Sequence, residues 1–169
     1  DLTEIRGFDE VPRVVAELRR WIEELSKLGV RRFVAHTLWL PLDAAISTWK
    51  HLAMVARVNA KFFDELSRTA RELEVEILVE NRVEKGRYGS TTADLLEIVE
   101  GREGLGICLD VGHAHVAGVD IERFVELAKP WIRALHLHDN DGSRDQHLPP
   151  LLGAINWRRI ISYIKYVDT

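Results

Sequence analysis

The stretch Ala134–His147, ALHLHDNDGSRDQH, begins as an apolar strand and turns abruptly polar. It carries three His and three Asp. Side chains at i and i+2 share one face of a strand, so His136 and His138 are expected to point the same way. A strand that delivers imidazoles and then carboxylates to one end has the makings of a divalent-metal site. A capped turn would account for the Asp, Asn and Gly of the loop. It would leave the strand histidines unexplained.

Outward from this stretch, short apolar strands alternate with amphipathic helices. Val11, Val14, Val15, Leu18, Trp21, Ile22, Leu25 and Leu28 fall on one helical stripe. Gly29 ends that helix as a C-cap. Arg31–His36 reads as a strand, 44–73 as a long helix and Val75–Glu80 as the next strand. Ser90 or Thr91 can cap a helix over Asp94–Glu100. Leu105–Asp110 reads as a strand, and Asp120 caps a helix through Ala128 that Pro130 ends. The fourth strand is Ile132–His138, and Asn156 caps a last helix from Trp157 to about Tyr166. Such alternation implies parallel pairing. The strand ends fall 44, 30 and 28 residues apart, against about 31 per unit in an eight-unit barrel of about 250 residues. All four strands end in a metal-capable or acid–base residue: His36, Glu80, Asp110 and His138. That end is the catalytic face of a barrel and the ligand-binding end of an open α/β sheet.

The chain has 169 residues, which fits one domain over 1–169. A net charge of −4 gives no basic excess of the kind that grips duplex nucleic acid by its phosphates. The single cysteine, Cys108, excludes an internal disulfide framework and suits a reducing cytosol. No apolar run approaches the ~18 residues that span a bilayer, so the expectation is a cytoplasmic protein with no membrane partner.

Each candidate has two readings. Glu80, in ILVEN, is either the first exposed residue after a strand or a cation ligand and proton carrier. Asp110, in ICLDVGH, is a helix cap or a ligand, with His113 three residues on and able to reach the same centre. His36 is a core-edge histidine or a site residue. His115 reads as a structural neighbour, His51 as a surface residue and Cys108 as a small buried hydrophobe.

The motifs ILVEN, ICLDVGHAHVAG and ALHLHDNDGSRDQHLPP resemble the xylose-isomerase-like (βα)8-barrel superfamily, from about His36 to Trp157. That superfamily includes metal-dependent sugar and sugar-phosphate isomerases and epimerases, and the endonuclease IV type of repair enzyme. The resemblance implies metal ligation by Glu80, Asp110 and His136. It implies that His113 binds substrate in the sugar enzymes, or a metal in the nuclease type. Asp145 and His147 match a nuclease-type Asp-x-His that holds a further metal, and His36 matches a strand-end ligand of that type. His138 is placed near the site. Arg144 is a candidate partner for a substrate phosphate or carboxylate.

Two departures stand out. The family's Gly-x-Gly turn is replaced by Pro149-Pro150-Leu151-Leu152-Gly153, and its last-strand Glu lies outside this chain. By the resemblance the chain is a partial barrel carrying about strands four to seven. The longer protein is expected to run to about 250 residues, with a Glu-ended strand soon after Thr169. The activity implied is isomerisation or epimerisation of a small sugar or sugar phosphate by enediolate proton transfer, with Glu80 and His113 catalytic. The cofactor would be Mn, Zn, Co or Fe, which suit a mixed N/O ligand set. The alternatives are an abasic-site phosphodiesterase, for which alone a nucleic-acid partner is expected, and a metal-free binding protein. Open sheet edges make a homo-oligomer a further expected partner.

Overall fold

The computed structural model describes residues 3–41, 48–165 and 167. Helix α1 spans Val11–Lys27, strand β1 Arg32–Ala35, helix α2 Thr48–Leu73 and strand β2 Glu76–Glu80. Helix α3 covers Thr92–Val99, strand β3 Leu105–Asp110, helix α4 Val111–Ala117 and helix α5 Ile121–Ala128. Strand β4 is Ile132–His136 and helix α6 is Trp157–Ile164. The four strands form one sheet in the order β1-β2-β3-β4, all parallel. This is an α/β fold whose sheet fits part of a barrel wall. No helix among the described residues is long and apolar enough to cross a membrane.

The central strands β2 and β3 are buried almost throughout, which their unbroken apolar runs ILV and GICL anticipate. Phe62, Phe63 and Leu66 of α2, Leu95 and Ile98 of α3, and Phe124 of α5 pack the core. The outer strands β1 and β4 are only partly covered.

Register decides what stands at the strand ends. Ile107 pairs with Ile132, but Cys108 pairs with Ala134, so a β-bulge lets β4 gain one residue on β3. Asp110 therefore stands level with His136. Without the bulge it would stand level with Leu135, whose side chain points to the other face.

Several boundaries differ from the sequence reading. The fourth strand stops at His136, two residues early, because the chain turns at Asp139 to pair with Leu148. Val111–Ala117 is a helix that the sequence reading left unassigned, capped by Asp110 and ended by Gly118 in the left-handed region. Thr91, rather than Ser90, caps α3 through a capping box with Asp94. Trp21, Leu25 and Leu28 are exposed, so the buried part of the α1 stripe is narrower than expected. The expected start of α2 at 44 and the expected end of α6 at Tyr166 lie outside the described residues.

Candidate active site

Glu80 closes β2 and is 5% exposed. It is therefore not simply the first solvated residue after the strand. Burial pushes its pKa up, as it does for any carboxylate. Hydrogen bonds from His36 and His136, and the charge on those rings, outweigh that and hold it at about 2. Nε2 of His36 lies 3.1 Å from Oε2, and Nδ1 of His136 lies 2.7 Å from Oε1.

Asp110 closes β3 and is 1% exposed. Its two readings both hold in part, since Oδ1 accepts the backbone N–H of His113 at 2.7 Å and so caps α4. His138 Nε2 lies 2.9 Å from Oδ1 and 3.1 Å from Oδ2. Nδ1 of His136 is 3.7 Å from Oδ2. His136, at the end of β4, and His138, two residues beyond it, thus both approach Asp110.

Asn81 stitches the two strand ends together. Its side-chain amide donates to the Asp110 carbonyl at 2.9 Å and accepts the Asp110 N–H at 2.8 Å. Its own carbonyl lies 3.0 Å from Nδ1 of His113. A carbonyl only accepts, so His113 carries its proton on Nδ1 and presents Nε2 to the recess.

The loop after β4 hangs on Asp139, which is fully buried. Its carboxylate accepts N–H bonds from Asn140, Leu151, Ile155 and the Trp157 indole, at 2.6–3.1 Å. Burial raises its pKa, and hydrogen bonds from the Trp157 indole and the Ile155, Gly153 and Asn140 backbone pull it below the ordinary 3.8. The loop brings Asp145 over the strand ends. Its Oδ2 lies 3.0 Å from His147 Nε2 and 3.4 Å from His113 Nε2.

The result is an open recess of about 530 Å³ lined by imidazoles and carboxylates. Of the sequence candidates, His36, Glu80, Asp110, His113, His136, His138 and His147 line it, and Asp145 leans in from the loop. Arg144 is exposed and does not line it. His115 is structural as expected, with Nδ1 2.7 Å from the Asn140 side-chain oxygen. Cys108 is buried, and burial beside two carboxylates pushes its thiol up to about 12. His51, expected on the surface, is half-buried with Nδ1 shielded and unbonded among the described residues. A groove of about 330 Å³ between α1 and α2 holds no such cluster.

Three positioning residues escaped the sequence reading. Asn81 was visible only as the second half of Glu-Asn, and Asp139 as one Asp among three. Gly112 had the one usable signal, a glycine between a strand-end Asp and a His. A Cβ there would collide with the His138 ring, so only glycine lets that imidazole lie under α4.

The xylose isomerase-like TIM-barrel family model matches residues 6–168. The chain belongs to this family. Family membership accords with the parallel sheet and with polar groups gathered at its C-terminal edge. The chain is 29% identical over 174 residues to the uncharacterized protein MJ1311 of Methanocaldococcus jannaschii, covering 99% of this chain and 58% of that protein. It is 32% identical over 149 residues to a probable endonuclease 4 of Methanoculleus marisnigri, covering 78% of this chain and 48% of that one. Among solved structures it resembles a D-tagatose 3-epimerase-like protein, with a TM-score of 0.79 and 29% identity. That match covers 91% of this chain and 58% of the other. An IolI protein with bound zinc shares the fold at a TM-score of 0.77 and 21% identity, over 98% of this chain and 63% of that one. The chain therefore spans about half to three fifths of the lengths of these relatives.

Proposed function

We propose that this chain forms strands four to seven of a (βα)8 barrel that isomerises or epimerises a small sugar or sugar phosphate with the help of a divalent ion. The observation that carries this is the pair of buried carboxylates, Glu80 and Asp110, facing the same imidazole. Nδ1 of His136 lies 2.7 Å from one and 3.7 Å from the other. The likeness to a D-tagatose 3-epimerase-like protein supports the reaction class.

The donor set fits a cation. Two buried anions at one strand edge repel each other unless a positive charge lies between them. Glu80, Asp110 and His136 would hold it, a mixed N/O set that suits Mn, Zn, Co or Fe. When bound, such an ion polarises a sugar carbonyl and its neighbouring hydroxyl and lowers the cost of removing the adjacent proton. Glu80, at the end of β2 beside His36 and His136, is the group placed to take that proton. His113, held by Asn81, presents an unprotonated Nε2 that can accept a hydrogen bond from a substrate hydroxyl.

The test is exchange of substrate carbon-bound protons with heavy water, across a panel of ketoses and ketose phosphates, in the intact protein. Exchange by the wild type and its loss in Glu80→Gln are expected. Normal exchange in the variant would remove Glu80 as the base. The endonuclease reading is favoured by one observation, the packing of Asp145 and His147 against His113. Cleavage of abasic-site DNA with no action on any sugar would establish it in place of the sugar chemistry.

A further inference from the structure

We propose that Arg82 is a positioning residue: it fixes His36 against Glu80 by holding the loop after β1, as Asn81 holds the end of β3. This role rests on the proposed function only in that Glu80 and His36 belong to the active site.

Among the described residues β1 is an outer strand, paired with β2 alone. Ala35 pairs with Val79, so His36 falls level with Glu80. The His36 side chain is 39% exposed, and its Nε2 lies 3.1 Å from Oε2 of Glu80. So open a ring depends on its backbone for its direction. That backbone is held from behind, where Thr37 and Leu38 are buried. Asn59 of α2 accepts the Leu38 N–H at 2.7 Å and donates to the Leu38 carbonyl at 3.0 Å. The Thr37 hydroxyl donates to the Tyr88 carbonyl at 2.8 Å. The Thr37 carbonyl, one residue beyond His36, accepts from Nη1 of Arg82 at 2.9 Å.

Arg82 is itself held in place. Its side chain is 12% exposed. Nε lies 3.1 Å and Nη2 3.3 Å from the two oxygens of Glu84. Arg87 holds Glu84 in turn, at 2.7 Å. A planar guanidinium that meets a carboxylate along one edge has a fixed direction for its remaining nitrogen. Here that nitrogen points at Thr37. The Arg82 N–H donates to the Gly89 carbonyl at 2.9 Å. Gly89 lies on the Thr37 side chain, where a Cβ would collide with it. Consecutive residues thus face three ways: Glu80 into the recess, Asn81 to β3 and Arg82 to the loop after β1.

The consequence for chemistry runs through Glu80. His36 engages its Oε2 and His136 its Oε1. The place of His36 therefore sets how the Glu80 carboxylate is turned toward an ion or a substrate. Groups that orient a ligand in this way typically change metal affinity or activity about 10–100-fold.

The test is a double-mutant cycle in the intact protein, combining Arg82→Met with His36→Ala. Arg82→Met keeps a long stem and removes the donors. The readouts are the nitrogen-15 shifts of the imidazole rings in metal-free protein, the affinity for zinc, and kcat and KM for proton exchange. Arg82→Met should move the His36 ring nitrogens off their hydrogen-bonded values and leave those of His138 unchanged. It should weaken zinc binding about 10-fold when His36 is present, and less than about twofold when His36 is already Ala. On a ketose that exchanges, kcat should fall while KM stays within about twofold. Arg82→Lys keeps the charge and one donor without the fork, and should recover part of each loss. It also carries the test if Arg82→Met does not fold. Equal losses with and without His36, or unmoved His36 nitrogens in the folded variant, would overturn the role of Arg82. No exchange on any sugar, with the shifts and the zinc cycle as expected, would remove the sugar chemistry and leave this role standing.

Discussion

The two ends of the sheet use similar charged groups to opposite effect. At the end where the strands begin, Arg32 lies 2.8 Å from Glu76 and Arg133 lies 3.9 Å from the same carboxylate, all well exposed. At the end where they finish, Glu80 and Asp110 are buried and face imidazoles. Exposed pairs keep their hydration and contribute little. Buried carboxylates lose theirs, and stay charged only through close donors or a cation. The first arrangement serves solubility. The second is costly to the fold, and the cost is concentrated where chemistry would occur.

Substitutions at the two ends test this contrast. The largest effect belongs to Asp110→Ala, which should weaken divalent-ion binding by more than about 100-fold, the upper range for groups that only support a ligand. Titration of the stripped protein with zinc would show it, and unchanged affinity would break the comparison. Next comes Asp139→Ala, which strands three buried donors and one partly buried one and should cost about 2–3 kcal/mol in denaturant unfolding. The Asp139 carboxylate is held below 3.8 in the fold. Its contribution is therefore complete above the unfolded value and is lost as pH falls below it. Hydrogen exchange at the Leu151 and Ile155 amides should accelerate in acid before exchange in β2 and β3 does.

Gly112→Ala is a smaller change with a directed consequence. The added methyl competes with the His138 ring, at about 1–2 kcal/mol for overpacking, and ion binding should weaken along with stability. At the other end, Arg32→Ala should shift stability by less than about 1 kcal/mol and leave ion binding unchanged. A larger shift would show that the starting end carries more of the fold than its exposure implies.

Much of the architecture was legible in the chain. Runs such as EILVE and LGICLD read as strands from their length and apolar content, and amphipathic stripes between them read as helices packed against the sheet. Asp120 and Asn156 announced helix starts because short polar side chains bond the first free N–H groups. The strand-end placement of Glu80 and Asp110 followed from the same pattern, whereas the fourth strand was expected to run to His138 and ends at His136. Helix α4 was harder, because seven residues with two histidines show no clear period.

Local order alone could not decide which polar groups meet. The bulge that sets Asp110 level with His136 depends on how β3 and β4 pair, and pairing is a property of two segments. The depth of Glu80 depends on the strands on either side of it. The tautomers of His113 and His138 are set by Asn81 and Asp110, roughly thirty residues away in sequence. The alternation of elements and the chemistry available at the strand ends follow from periodicity and residue type, and so could be read from the chain alone. Which imidazole faces which carboxylate, and which nitrogen keeps its lone pair, depends on packing, because hydrogen-bond direction and burial arise only when distant segments meet.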